Sequence, residues 1–141
     1  MIDVREAGQI VGENPQIAGA NPLSVLNVLV VDDDRDFAET MAEMLAQLGH
    51  RAASVFSGNE ALNRLKKNVF DLAFVDIMMP GKGGLDVLWA SQNSNIKTDI
   101  VLMTAHNAAH FADQGKMFSA LGVLQKPFEP DQLAQYIEPD D

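Results

Sequence analysis

The chain has 141 residues, of which 47% are hydrophobic and 21% charged, so it holds apolar material for one buried core and reads neither as a disordered coil nor as a collagen-like fibre. Its 10 Lys and Arg against 20 Asp and Glu give a formal charge of −10, which repels nucleic-acid phosphates and anionic lipid, and no local basic patch offsets it. With no cysteine there is no disulfide framework, thiolate nucleophile, zinc ribbon or iron–sulfur cluster, a composition compatible with a reducing cytoplasm.

Residues 1–24 start acidic where a secretory signal starts basic, and Gly8, Gly12, Pro15, Gly19 and Pro22 punctuate them. They read as a flexible leader; a short helix over Val4 to Val11 that docks on the domain is the competing reading, on too brief a periodicity to carry it. No stretch of the chain is long enough to span a bilayer, which predicts a soluble, cytoplasmic protein with no membrane partner.

After Ser24, short apolar runs alternate with segments of helical period, the signature of a parallel sheet covered by helices on both faces. The first run, Val25 to Val31, ends in Asp32-Asp33-Asp34, and Phe37, Met41, Met44, Leu45 and Leu48 then recur at helical spacing up to Gly49. A weaker strand spans Ala52 to Phe56; Ser57 follows as N-cap with Glu60 three residues on, and Ala61, Leu62 and Leu65 share a helical face. Leu72 to Val75 runs straight into Asp76, and a helix starting near Gly84 carries Leu85, Leu88 and Trp89. Ile100 to Met103 ends at Thr104 ahead of a helix over Asn107 to Phe118. Gly122 to Gln125 ends at Lys126-Pro127, and Pro130 to Ile137 forms a last helix with proline in its first turn. Five strand–helix units make one domain of 25–138, leaving 139–141 as a short acidic tail.

Asp32 and Asp33, Asp76, Thr104 and Lys126 thus stand at the carboxyl ends of four different strands, the edge of an open parallel sheet where ligand sites form. Two carboxylates about 5 Å apart at an effective dielectric of 20 repel by roughly 3 kcal/mol, so a convergent set of three needs compensation. A divalent cation on oxygen ligands provides it, and an all-oxygen site suits magnesium better than zinc. With the ammonium of Lys126 and the hydroxyl of Thr104, the set describes a phosphoryl-transfer site in which one carboxylate attacks phosphorus. Asp76 is the candidate nucleophile, because it stands alone after a continuously apolar strand, whereas the adjacent Asp32 and Asp33 suit metal ligation. Each residue alone also has an ordinary reading: Asp34 and Asp36 as helix-start acids, Asp76 as a turn residue before Pro80-Gly81, Thr104 as a helix cap. Only their joint placement points to phosphoryl transfer.

The stretches Val30 to Asp34, Asp71 to Gly81, Met103-Thr104-Ala105 and Lys126-Pro127-Phe128 resemble the receiver domain of two-component response regulators, and the resemblance covers residues 26–137. It implies a flavodoxin-like, doubly wound five-stranded parallel sheet of order 2-1-3-4-5 with five helices. It also implies that Asp76 accepts a phosphoryl group from a histidine kinase or histidine phosphotransfer protein. Asp33, Asp76 and the backbone carbonyl of Met78 would bind Mg2+ directly, Asp32 mostly through water, and Lys126 and Thr104 would contact the phosphoryl oxygens. The family's tuners of hydrolysis fall on Met78 and His106; Met78 cannot orient water by hydrogen bonding, which implies a longer-lived phosphoryl group than asparagine gives there. His50 and His110 carry no sign of catalysis.

Two departures from the family pattern stand out. Its aromatic switch position in the fifth strand is Val123, which implies a weaker or differently transmitted change on the face of the fourth helix, fifth strand and last helix. Gly83 replaces an acidic residue, which predicts a more mobile loop after the phosphoacceptor, with Lys82 screening the rim.

The sequence stops within a turn or so of the last helix, and the acidic Glu129 to Asp141 lacks the basic residues of a regulator that dimerises there through salt bridges. The expectation is therefore a stand-alone signalling receiver acting through protein contacts on a downstream protein, with no nucleic-acid partner and no enzymatic action on an external substrate. The alternatives are a receiver that is a fragment of a larger regulator or hybrid kinase, and a phosphorylation-independent pseudo-receiver; the latter would lack an acid or the lysine, and none is missing. A haloacid-dehalogenase-like phosphatase needs a second aspartate where Met78 stands. A flavodoxin-type carrier needs a phosphate-cradling loop rich in Ser, Thr and Gly where three aspartates stand.

Overall fold

The computed structural model describes residues 25–117 and 119–138. Among these residues, five strands and five helices alternate strictly: β1 (Asn27–Val31), α1 (Arg35–Gln47), β2 (Arg51–Val55), α2 (Gly58–Lys67), β3 (Leu72–Asp76), α3 (Gly84–Asn93), β4 (Asp99–Thr104), α4 (Ala108–Met117), β5 (Gly122–Gln125) and α5 (Pro130–Ile137). All neighbouring strands are parallel, in the order β2-β1-β3-β4-β5, the flavodoxin-like order expected. The leader, the Val4 to Val11 helix and the tail at 139–141 lie outside the described residues.

The sheet is buried on both faces because its central strands carry unbroken apolar runs, Val28 to Val31, Leu72 to Val75 and Ile100 to Met103. Along β1, Leu29 and Val31 pack with α2, α3 and Phe111 of α4, while Val28 and Val30 pack with α1 and α5. In β3, Ala73 and Val75 belong to the first layer, and Leu72 and the fully buried Phe74 to the second. The alternation is the two-residue period of a strand read against two apolar layers.

Local chemistry sets where the helices begin and end. Asp34 caps α1 by accepting from the Phe37 amide at 3.2 Å, and Gly49, at φ +99°, provides the left-handed residue after its end. Ser57 accepts from the Glu60 amide at 3.1 Å, as the capping pattern predicts. Pro130 occupies the first turn of α5, and the Gln132 side chain accepts from the Glu129 amide at 2.8 Å.

The boundaries differ from expectation in a few places. β1 begins at Asn27 rather than Val25, because the Leu26 amide donates to His50 Nδ1 at 3.1 Å instead of joining a ladder. β2 runs Arg51–Val55, one residue earlier than the apolar run suggests. On α3 the buried face is Gly84, Val87, Leu88 and Ser91, and Trp89 lies 54% exposed; on α1, Leu48 is an exposed cap residue.

Candidate functional site

Sheet register brings the four strand ends together. Asp76 closes β3 beside Met103 of β4, and Thr104 closes β4 beside Gln125 of β5. Two loop bonds extend the ladder past the strand ends: the Ile77 amide donates to the Met103 carbonyl at 2.8 Å and the Lys126 amide to the Thr104 carbonyl at 2.7 Å. Lys126 is joined to Pro127 by a cis peptide. On the other side, the Asp32 amide donates to the Val55 carbonyl at 3.2 Å, which holds the acidic loop against β2.

Carboxylate oxygens of Asp32, Asp33 and Asp76 lie within 4.8 Å of one another, Asp32 and Asp76 buried and Asp33 exposed. Lys126 Nζ stands between two of them, 2.7 Å from Asp32 Oδ2 and 3.6 Å from Asp76 Oδ1. Asp32 is held twice, since its Oδ1 also accepts from the Asp34 amide at 3.0 Å. Burial pushes the Asp76 carboxyl up to about 6; Asp32 and then Asp33 push it the same way, and the Lys126 ammonium and its hydrogen bond only partly offset them. One ammonium thus leaves the triad short of positive charge. The donor set fits a small divalent cation: all oxygen, two groups buried within the fold, and one facing water.

Thr104 is fully buried, and its Oγ1 accepts from the His106 amide at 3.0 Å, which leaves the hydroxyl proton to donate elsewhere. His106 itself is exposed, and Met78 is 57% exposed. Val123 is half-buried against the α2–α3 layer, beside a groove of about 320 Å³ that Ala108, Ala109 and Ala112 of α4 line. Burial pushes the His50 imidazole below its ordinary value, its Nδ1 serving as acceptor, and His110 packs edge to face with Phe111.

The loop glycines serve close packing. A Cβ on Gly83 would collide with the Ile77 carbonyl oxygen, and one on Gly84 would sit 2.7 Å from the Asp76 carbonyl oxygen. The segment is bonded in place by Gly83 N–H to Asp86 Oδ2 at 3.2 Å and Gly84 N–H to the Ile77 carbonyl at 3.1 Å. Lys82 is exposed, and its backbone packs on Gly58.

Sequence reasoning missed one feature of the site. Lys126 Nζ lies 4.4 Å from the centre of the Phe37 ring, and Phe37 meets Phe128 edge to face at 6.0 Å. Helical spacing marks Phe37 as apolar, but only the tertiary fold shows that its ring faces an ammonium.

A doubly wound parallel sheet with an acid triad and a lysine on its carboxyl edge defines the class of flavodoxin-like signalling receivers. The sequence matches the response regulator receiver domain family over residues 28–138, and the chain belongs to that family. Among curated relatives, it is 32% identical over 108 residues to the transcriptional regulatory protein DltR of Streptococcus agalactiae, covering 77% of this chain and 48% of the relative. It is 31% identical over 113 residues to the transcriptional regulatory protein ZraR of Salmonella typhimurium, covering 80% of this chain and 26% of the relative. The chain therefore spans half or less of these relatives. Among solved structures, Vibrio cholerae chemotaxis protein CheY4 superimposes with a TM-score of 0.75 at 28% identity, covering 81% of this chain and 97% of that one. Thermotoga maritima response regulator TrrA, solved in complex with Mg2+ and BeF, gives 0.72 at 29% identity over 81% of this chain and 97% of that one. Among the described residues, no helix is long and apolar enough to cross a membrane.

Proposed function

We propose that the chain is a phosphoacceptor switch in which Asp76 takes a phosphoryl group from a phosphohistidine of a histidine kinase or histidine phosphotransfer protein. The observation that carries this is the clustering of three carboxylates within 4.8 Å around an ammonium that reaches both Asp32 and Asp76. Asp33, Asp76 and the Met78 carbonyl would hold Mg2+, with Asp32 acting mostly through water. Held there, a divalent cation would supply positive charge against the transferred group.

The chain's own residues do the rest. An Asp76 carboxylate oxygen attacks phosphorus; the phosphorus–nitrogen bond breaks, and the departing imidazole keeps the electron pair and takes a proton. A carboxyl that titrates at about 6 is largely ionised at neutral pH, and burial leaves it poorly hydrated, which suits a nucleophile. Lys126 exchanges Asp32 for a phosphoryl oxygen, and Thr104 donates its hydroxyl to another. That movement of Thr104 alters the packing under Val123 and signals on the surface of α4, β5 and α5, with a smaller response than an aromatic side chain gives. Met78 and His106 tune hydrolysis from the exposed side.

The receiver signals by contacts with a protein target. DltR and ZraR are named as transcriptional regulators, so in a longer protein of that kind a nucleic-acid partner belongs to the part this chain does not match. Incubation with acetyl phosphate and Mg2+, read by intact mass, tests the phosphoacceptor directly. Wild type gains one phosphoryl group and Asp76→Ala gains none; equal gain in both removes Asp76 from the role.

A further inference from the structure

The aromatic pair beside the triad has no part in the chemistry above, yet it touches the lysine. Lys126 carries a long, strongly hydrated side chain, and holding its ammonium in one place costs rotamer entropy and water. Here the side chain is only 16% exposed, and Nζ has three neighbours: Asp32 at 2.7 Å, Asp76 at 3.6 Å and the face of Phe37 at 4.4 Å. That distance lies well inside the range in which an ammonium is drawn to a ring's negative face. Phe37 is held at its backbone and at its ring. The Phe37 amide donates to Asp34 in the first turn of α1, and Phe128 braces the ring edge to face.

We propose that Phe37 is a positioning residue for Lys126: its ring face seats the ammonium over the acid triad while the lysine changes partners. The role rests on the phosphoacceptor reading. Asp32 is shared between the lysine and the carboxylate cluster, so a divalent cation in that cluster competes with the ammonium for the same acid. The ring takes no part in that competition. When Asp32 is drawn to the cation, Nζ keeps Phe37 and Asp76, and so stays within reach of the group arriving on Asp76. A leucine at this position fills similar space and offers no π face, leaving the lysine to be immobilised anew in each transfer.

Two measurements on the same protein test this. In the metal-free, unphosphorylated state, the ε-methylene protons of Lys126 are expected upfield from ring current in wild type and in Phe37→Tyr, and at ordinary lysine positions in Phe37→Leu. With acetyl phosphate and Mg2+, Phe37→Leu is expected to acquire the phosphoryl group about three- to tenfold more slowly, and Phe37→Tyr to recover most of the wild-type rate. Thermal unfolding of each variant shows whether the rates compare folded proteins, and Phe37→Tyr keeps the comparison open if the leucine variant fails to fold. Unshifted Lys126 resonances in wild type overturn the seat. Shifted resonances with equal rates in Phe37→Leu and wild type, or no recovery in Phe37→Tyr, overturn the positioning role. Wild type that shows the shift but takes up no phosphoryl group overturns the phosphoacceptor reading, and the role with it, while the contact stands.

Discussion

Replacing Asp76 with asparagine should stabilise the metal-free protein. The folded carboxyl titrates at about 6 against an ordinary 3.8, a difference of about two units, and each unit corresponds to about 1.4 kcal/mol. A neutral isostere therefore relieves about 2 to 3 kcal/mol at neutral pH, which in a domain of this size raises the midpoint of thermal unfolding by roughly 6 to 12 °C. The sign follows from the raised value: between pH 3.8 and about 6 the folded carboxyl holds a proton that the unfolded one has lost, so stability falls as pH rises through that window. The advantage of Asp76→Asn is accordingly full above about pH 6 and gone below about pH 4, where both proteins are neutral at the position. Urea unfolding of both proteins at several pH values, in chelator, measures it. Added Mg2+ should stabilise wild type more than the variant and narrow the gap. A variant no more stable than wild type at pH 7, or a gap that does not change with pH, refutes the account of the triad.

Three further outcomes are expected. Gly83→Ala drives a methyl into the Ile77 carbonyl, so it should lose about 1 to 3 kcal/mol in urea unfolding, more than an alanine placed at the open, exposed tip of a loop would cost. His50 should titrate below 6.5 by NMR with Nδ1 unprotonated, because burial disfavours the charged ring; folding stability attributable to it is then lost as pH falls below 6.5, opposite in sign to Asp76. A value at or above 6.5 contradicts the bond from Leu26. Met78→Asn adds an amide able to orient water, and should shorten the phosphoryl lifetime by about two- to tenfold in a decay assay, the scale of one ordinary hydrogen bond.

The sequence reveals the central strands because both of their faces are buried: Val28 to Val31, Leu72 to Val75 and Ile100 to Met103 are unbroken apolar runs. Edge strand β2 is less legible, since Ala52 and Ala53, packed against opposite layers, and Ser54 are small and only half-buried, so the run carries little signal. On α3, Leu85, Val87, Leu88 and Trp89 are all apolar, so helical period cannot choose a face; packing selects Val87 and Leu88 and leaves Trp89 outside. The polar residues of the rim are legible for a simpler reason, that parallel strands must end on one edge. What sequence does not carry is distance. That Lys126 rests on Asp32 rather than on Asp76, that Phe37 offers it a ring face, and that Gly83 leaves room for a carbonyl are results of three segments meeting.

If these strand ends form one divalent-cation site whose buried acid takes the phosphoryl group, a crystal of the protein soaked with Mg2+ and beryllofluoride should show it. Beryllium is expected on an Asp76 carboxylate oxygen, Mg2+ among Asp33, Asp76 and the Met78 carbonyl, and Lys126 moved from Asp32 onto a fluoride. Density that leaves the three carboxylates bare, with Lys126 still bound to Asp32, overturns the phosphoacceptor site.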